Sequence, residues 1–290
     1  MSRKDLTFLI AESEPPEARS KRRESVGRSS GETYGVVLDH IAPQAKWTRL
    51  KPADAASQGT GVEGLGSFDA VFLTGSPLHL YEESDEGRRV VDFMRAVFAS
   101  ATPAFGSCAG LQVATVAAGG TVRPMGDRRE AGFARRIYPT DAGKQHPLLL
   151  GRPPAFDAPA IHTDEVASLP TGGILLGTNS TTEVQAAEII SGPGTFWGVQ
   201  YHPEVSLREV AAALGRQSED LIEHGLAPDP GTVEAQAALI EALHQDPDRR
   251  DLAWRLGVDE QITDPRLRTR GIRNFVEHLV LPMRSRRGRE

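Results

Sequence analysis

The sequence contains very little cysteine, and Cys108 is the only thiol among its 290 residues. A single cysteine excludes a disulfide within the chain and a cysteine-rich zinc site. The chain also lacks any apolar run of about 18 residues, the length that a membrane-spanning helix needs. The amino-terminal segment has only a brief apolar stretch at residues 6–11, without a secretory hydrophobic region after it. We therefore expect a cytoplasmic protein that does not enter membranes.

Positive charge is also scarce relative to negative charge. The chain has 33 Lys and Arg residues against 39 Asp and Glu residues, which gives a net charge of −6 at pH 7. This balance argues against a general nucleic-acid-binding surface. The phosphate-binding pattern Gly-x-x-x-x-Gly-Lys-Ser/Thr is missing as well, so we expect no ATP-dependent synthetase half in this chain.

Short apolar runs alternate with helical patterns in the first half of the sequence. Runs at 6–10 and 68–73 predict strands that are buried on both faces, and residues 86–99 carry the apolar stripe of an amphipathic helix. Residues 34–41 predict the first helix, and residues 47–50 predict an edge strand. This alternation predicts an α/β fold, with an open, mostly parallel sheet flanked by helices.

The second half of the sequence follows a different pattern. Between residues 132 and 197, short apolar runs separated by Pro, Gly, Asp and Asn predict a β-rich, partly antiparallel region. Beyond this region the pattern becomes helical, so we divide the chain into residues 1–206 and a helical C-terminal extension, 207–290. Helices are expected at residues 210–223, 233–244, 251–256 and 268–281.

Two polar segments are unsuited to a core. Residues 12–32 are highly charged and longer than an ordinary connection between a strand and a helix. Two interpretations of this segment stay open: a disordered loop, or a mobile lid that covers substrate near the strand ends. The basic residues 284–290 are expected to form a frayed, solvated tail.

The only cysteine lies on a predicted turn between a strand and a helix. Gly106 and Gly110 stand two residues on either side of Cys108, which is the spacing of a nucleophile elbow with cysteine in place of serine. The helix N-terminus behind the thiol favours a thiolate and can stabilise an oxyanion. A buried structural cysteine is the alternative interpretation of a lone thiol.

A candidate base follows the last predicted strand, in the sequence His202-Pro203-Glu204. Because Pro203 restricts φ and residues two apart in an extended segment project to the same side, the imidazole and the carboxylate can lie together. Each residue taken alone is equally well explained as a structural histidine or a surface acid. Together with the elbow, they supply a nucleophile, a base and a group that orients the base.

The segments GSCAGLQ and GVQYHPE resemble the two motifs of the class I glutamine amidotransferases, the triad-type family. In that family the elbow reads G-x-C-x-G-x-Q and the second motif reads H-P-E. The strand-end glycine loop at residues 73–77 is similar to the family's oxyanion loop. The resemblance covers about residues 6–206 and implies a flavodoxin-like sheet. It also implies that Cys108 is the nucleophile, His202 the base and Glu204 the orienting group.

The resemblance also implies how the substrate is held. Oxyanion donors would come from the backbone of the loop at Gly75 and Ser76 and from Ala109, and Gln112 would help to hold the substrate. Ala109 replaces a larger residue of many members, which matters little because only its N–H is used. His162 lies in a segment similar to the family's His-containing segment and is assigned to the pocket wall. We expect no metal site, because His162 has no second ligand at a metal spacing.

The reaction that the resemblance implies is hydrolysis of glutamine through a thioester on the cysteine, without a cofactor. The ammonia would pass to a partner synthetase or a small-molecule acceptor, and the sequence identifies neither. The oligomeric state is also open. Two alternative functions remain: a γ-glutamyl hydrolase that acts on γ-glutamyl amides, and a non-catalytic regulatory or binding protein on the same scaffold.

Overall fold

The computed structural model describes residues 6–56 and 61–286. The predicted basic tail therefore falls partly outside the description, at residues 287–290, as do residues 1–5 of the amino-terminal segment. The strands are β1 (Thr7–Ala11), β2 (Lys46–Leu50), β3 (Ala70–Leu73), β4 (Ala104–Ser107), β5 (Thr121–Pro124), β6 (Glu130–Pro139), β7 (Phe156–His162), β8 (Asp164–Ser168), β9 (Gly173–Thr178), β10 (Ala186–Ser191) and β11 (Gly194–Val199).

The helices lie on both sides of the sheet and fill the C-terminal region. They are α1 (Pro16–Val26), α2 (Ser30–Ile41), α3 (Val62–Leu65), α4 (Asp85–Ala99), α5 (Ala109–Ala117), α6 (Asp141–Gln145), α7 (Leu207–Arg216), α8 (Ser218–Glu223), α9 (Pro230–Gln245), α10 (Arg250–Leu256), α11 (Glu260–Thr263), α12 (Pro265–Arg268), α13 (Arg270–Phe275) and α14 (Leu281–Arg286). A 3₁₀ turn at Pro147–Leu149 and a π turn at Val276–Val280 complete the set within the described residues.

Nine of the described strands form one mixed sheet in the order β2-β1-β3-β4-β11-β10-β9-β6-β7. Strands β2, β1, β3, β4 and β11 run parallel, whereas the pairs from β11 through β10, β9 and β6 to β7 are antiparallel. Strands β5 and β8 form a separate antiparallel pair. The predicted α/β class, the flanking helices, the partly antiparallel region and the C-terminal helical region are confirmed.

Strand β1 shows how the parallel part of the sheet is buried on both faces. Because side chains alternate along a strand, Phe8 and Ile10 contribute to the apolar core on one face, while Leu9 and Ala11 contribute to the core on the other. Helices α2 and α13 pack on the first face, and α4 and α5 pack on the second. A third apolar cluster joins α7, α9, α10 and α11 to Phe133 of β6.

The interpretation of residues 12–32 as a disordered loop is wrong. The segment contains α1 and the start of α2, and α1 ends at Gly27, whose φ of 77° is a left-handed helix cap. The only buried side chain of α1 is Arg19, whose guanidinium lies 2.6 Å from Asp54. A buried charge is tolerated when it is paired, so a helix this polar can be part of the fold.

Helix boundaries in the C-terminal region also differ from the predictions. The predicted helix at 210–223 is split at Gln217, and the one at 268–281 begins at Arg270 and contains the π turn. The prediction of a frayed tail is wrong for residues 284–286, which belong to α14. In the N-terminal half, α2 begins four residues before the predicted Tyr34. Ser29 and Glu32 form a capping box there, with Glu32 accepting the N–H of Ser29 at 2.8 Å.

The C-terminal residue Phe275 lies in the main core rather than at its margin. It is fully buried, and its ring centroid lies 5.5 Å from that of Phe72 and 5.6 Å from that of Phe105. The sheet core of the parallel strands therefore includes side chains from beyond residue 206. The division into residues 1–206 and 207–290 stays a prediction.

We expect Phe275→Ala to lower the free energy of unfolding by about 3–5 kcal/mol, because it removes a buried ring and leaves a cavity between two core strands. Trp254→Ala is the matched control, since the Trp254 side chain is 83% exposed. The control should change stability by less than about 0.5 kcal/mol. Denaturant unfolding of both variants measures the difference. Equal stability of the two variants would contradict a core role for α13.

Candidate active site

Cys108 lies on the sharp turn that joins β4 to α5. Its backbone has φ 53° and ψ −116°, a conformation that L-residues rarely adopt and that costs roughly 1–3 kcal/mol. The Cys108 N–H donates a hydrogen bond of 2.8 Å to the carbonyl of Val199, the last residue of β11. The strain is thus maintained by the neighbouring strand, and the thiol is held at the carboxyl ends of β4 and β11.

The two glycines of the elbow are required by close backbone contacts. A Cβ at Gly110 would lie 2.6 Å from the carbonyl oxygen of Leu73. A Cβ at Gly106 would lie 3.0 Å from the Gly110 carbonyl carbon and from the ring of Phe196. Larger residues would therefore push α5 away from β3 and β4 and displace the thiol.

His202 and Glu204 stand beside the thiol on the turn that follows β11. The His202 N–H donates to the carbonyl of Pro159 at 2.7 Å, which fixes the backbone of the turn. Nδ1 of His202 lies 2.8 Å from Oε1 of the buried Glu204. This contact leaves Nε2 for the thiol of Cys108, with which His202 is also hydrogen-bonded. The structure therefore brings the three predicted residues together.

The electrostatics of the site favour a charged imidazole. Burial lowers the pKa of His202, but the negative charges of Glu204 and Cys108 outweigh burial and raise this pKa from 6.5 to about 10. His202 is therefore an imidazolium at neutral pH, the partner that a thiolate needs. Because the pKa is raised on folding, this pairing stabilises the fold fully below about pH 6.5. The contribution is lost as the pH rises through about 10.

The loop after β3 runs directly against these side chains. A Cβ at Gly75 would lie 2.8 Å from Cε1 of His202 and 3.7 Å from Cβ of Cys108. Gly75 and Ser76 both line the pocket that contains the thiol. Ala109 is the first residue of α5, so its N–H has no acceptor within the helix. The backbone groups predicted as oxyanion donors therefore flank Cys108.

Gln112 and His162 line the same pocket, but hydrogen bonds within the protein hold both side chains. Nε2 of Gln112 donates to the carbonyl of Asp164 at 3.1 Å and to Oε1 of Gln200 at 3.3 Å. His162 uses both ring nitrogens, one with the Asp164 carbonyl at 2.9 Å and one with Glu130 at 2.7 Å. Both residues thus shape the wall, and His162 has no ring nitrogen left for a ligand.

Sequence reasoning missed the buried group that holds His162. Glu130 also accepts hydrogen bonds from Asn179 and Gln185, and these three partners lie 32 to 55 residues away in the chain. Burial raises the pKa of Glu130, but the bond and charge of His162 outweigh it and lower the pKa overall. No local motif marks such a network. Between residues 6 and 56 and between 61 and 286, no cluster of His, Cys, Asp and Glu could hold a metal ion.

The pocket is much larger than the catalytic residues alone require, with a volume of about 880 Å³. One side is formed by the loop after β3 and by His79, which pairs with Asp164 at 2.7 Å. The opposite side is formed by α1 and α7. Sequence analysis placed the α1 segment near the strand ends but did not identify α7 as a pocket wall. The α1 and α7 side chains that line the pocket include Ala18, Lys21, Arg22, Glu209, Val210, Ala213 and Arg216.

Comparison with known proteins identifies the family. The family model "Glutamine amidotransferase class-I" matches residues 45–218. The gamma-glutamyl-L-1-hydroxyisopropylamide hydrolase of a Pseudomonas species is 34% identical over 287 residues, which cover 97% of this chain and 96% of that protein. The chain belongs to the class I glutamine amidotransferases.

Other class I amidotransferases are less similar to the chain. The amidotransferase component of a glutamine-hydrolyzing GMP synthase from Sulfolobus acidocaldarius is 30% identical over 178 residues, which cover 61% of this chain and 88% of that protein. A glutamine amidotransferase structure from Methylobacillus flagellatus has a TM-score of 0.61 and 18% identity, and it covers 94% of this chain and 96% of its own. This structural likeness supports the fold alone. No helix among the described residues is long and apolar enough to cross a membrane.

We expect Gly75→Ala to slow alkylation of Cys108 by iodoacetamide at neutral pH, on the order of tenfold, because the new methyl group displaces the imidazole that supports the thiolate. The sole cysteine makes this reaction specific for the site. Gly215→Ala on α7 is the control, since a Cβ there meets nothing within 4 Å. An alkylation rate for Gly75→Ala equal to that of the control would contradict the packing of the loop against His202.

Proposed function

We propose that this class I amidotransferase hydrolyses γ-glutamyl amides through a thioester on Cys108. The arrangement of Cys108, His202 and Glu204 supports this reaction type. Two observations favour a substituted amide over glutamine. The full-length relative is named as a γ-glutamyl amide hydrolase, and its similarity includes the helices beyond residue 207. The pocket also extends well past the thiol.

In the proposed reaction, the Cys108 thiolate attacks the γ-carbonyl carbon and forms a tetrahedral intermediate. Its oxyanion is stabilised by the N–H groups of Gly75 and Ala109. His202 then gives its Nε2 proton to the leaving amine, and the C–N bond breaks to leave a γ-glutamyl thioester. Neutral His202 next accepts a proton from water, which attacks the thioester and releases glutamate and the thiol. Glu204 holds the imidazole in place during both steps.

The pocket wall beyond the thiol supports a leaving group larger than ammonia. Apolar side chains line this region, while a leaving ammonia would need no such surface. An N-alkyl substituent would bury its carbon atoms there, at about 0.8 kcal/mol for each methylene group. The apolar residues are Pro15, Ala18, Ile161, Val205, Val210 and Ala213.

Hydrolysis of glutamine, with transfer of ammonia to a synthetase or a small-molecule acceptor, is the second candidate function. The similarity to the GMP synthase component of Sulfolobus acidocaldarius favours it. In that case the chain would need a separate partner to use the ammonia. The two candidates share the same nucleophile, base and orienting group, so they differ only in the amine that the pocket accepts.

The two candidates are distinguished by their substrates. We expect kcat/KM for γ-L-glutamyl isopropylamide to exceed that for L-glutamine by about tenfold or more, since burial of a few carbon atoms contributes roughly 1–3 kcal/mol. The release of glutamate is measured for both substrates, with Cys108→Ser as the inactive control. Preference for glutamine would favour the second candidate. Turnover of neither substrate, together with no labelling of Cys108 by a glutamine-like affinity reagent, would favour a non-catalytic binding protein.

A further inference from the structure

A chain of buried hydroxyl groups runs from helix α2 to the carboxylate of Glu204. The hydroxyl of Tyr34 lies 2.7 Å from Oγ of Ser107, the last residue of β4. Ser107 Oγ lies in turn 2.9 Å from Oε1 of Glu204, the same oxygen that contacts His202. Tyr34 and Ser107 are fully buried, so water does not replace these contacts.

The chemistry of the groups fixes the direction of these hydrogen bonds. The ionised carboxylate of Glu204 can only accept, so Ser107 donates its proton to Oε1. The oxygen of Ser107 must then accept from Tyr34, which needs a protonated phenol. Burial, together with the charge of Glu204, raises the pKa of Tyr34 well above its ordinary value, and its proton is retained. Each hydroxyl therefore supports the next one in a single direction toward the active site.

Both hydrogen bonds that reach Glu204 meet at one oxygen. Oε1 accepts from Ser107 and from His202, whereas Oε2 is buried without a hydrogen-bond partner among the residues described. The orientation of the carboxylate therefore depends on only two donors. Removal of the Ser107 donor would leave the imidazole as the only group that holds it.

We propose that Tyr34 and Ser107 are positioning residues that hold Glu204 ionised and aligned with His202. This inference rests on the proposed roles of His202 and Cys108. Neither hydroxyl touches the reacting atoms, so their effect on the thiolate must pass through the carboxylate and the imidazole. The chain of contacts also ties α2, which follows the helix α1 at the pocket, to the centre of the site.

Several titratable groups surround this carboxylate and bear on its response to pH. The charge of Glu204 contributes to raising the pKa values of His202 and Tyr34, and His202 links it to Cys108. Arg268 of the C-terminal helix α12 also interacts electrostatically with Glu204. Burial lowers the pKa of Arg268, although the charges of Glu209, Asp264 and Glu204 oppose that change. None of these groups is altered by removal of the hydroxyl of Ser107.

The test follows the pH dependence of Cys108 alkylation by iodoacetamide in the full-length protein, which needs no knowledge of the substrate. In Ser107→Ala, the carboxylate loses a donor and takes up a proton more readily, so the imidazolium and the thiolate lose support at a higher pH. We expect the acid limb of the rate profile to move upward by about one pH unit. Tyr34→Phe should move it in the same direction by less, and Tyr201→Phe, which alters another fully buried tyrosine, should not move it.

The double variant Tyr34→Phe/Ser107→Ala separates a relay from two independent structural effects. Because Tyr34 is proposed to act only through Ser107, the double variant should have the profile of Ser107→Ala alone. Additive shifts, or profiles of Tyr34→Phe and Ser107→Ala that coincide with that of Tyr201→Phe, would overturn the proposal. If Ser107→Ala does not fold, the comparison of Tyr34→Phe with Tyr201→Phe still decides. The substrate comparison tests the proposed function separately.

Discussion

The contact between His202 and Glu204 is the interaction on which the rest of the site depends. At 2.8 Å in a buried setting, the carboxylate offsets the cost of burying a charged imidazole, whose pKa is raised to about 10. The backbone contact of His202 with Pro159 and the close approach of Gly75 allow the ring little freedom. The strained elbow then presents Cys108 to a base that is already fixed, which is the arrangement that thiol catalysis needs.

Local sequence patterns were sufficient to predict the residues that meet in this site. The elbow glycines and the His-Pro-Glu spacing are short-range signals with a direct geometric meaning, and apolar runs mark the strands that carry them. The predicted helix at residues 86–99 is observed as Asp85–Ala99 for the same reason. The hydroxyl chain of Tyr34 and Ser107 was not predictable, because its members lie 73 and 97 residues from their partners.

Segments whose polar groups are paired over long distances were also misjudged. Residues 12–32 contain too few apolar residues to predict a packed helix, yet Arg19 is buried against Asp54, 35 residues away. Phe275 shows the same limit at the other end of the chain. Its helix has an apolar stripe in the sequence, but the pattern does not indicate that the ring reaches the core between β3 and β4. Composition predicts that a segment is polar or apolar and leaves its partners open.

The central claim is that a γ-glutamyl group passes through Cys108, and the covalent intermediate tests it most directly. The protein is mixed with γ-L-glutamyl isopropylamide, quenched in acid within the first turnovers and analysed by intact-protein and peptide mass spectrometry. The account predicts a mass increase of one γ-glutamyl acyl group, located on the peptide that contains the only cysteine, and none in Cys108→Ala. Turnover of this substrate at an unchanged rate in Cys108→Ala, or an acyl group on another residue, would contradict it.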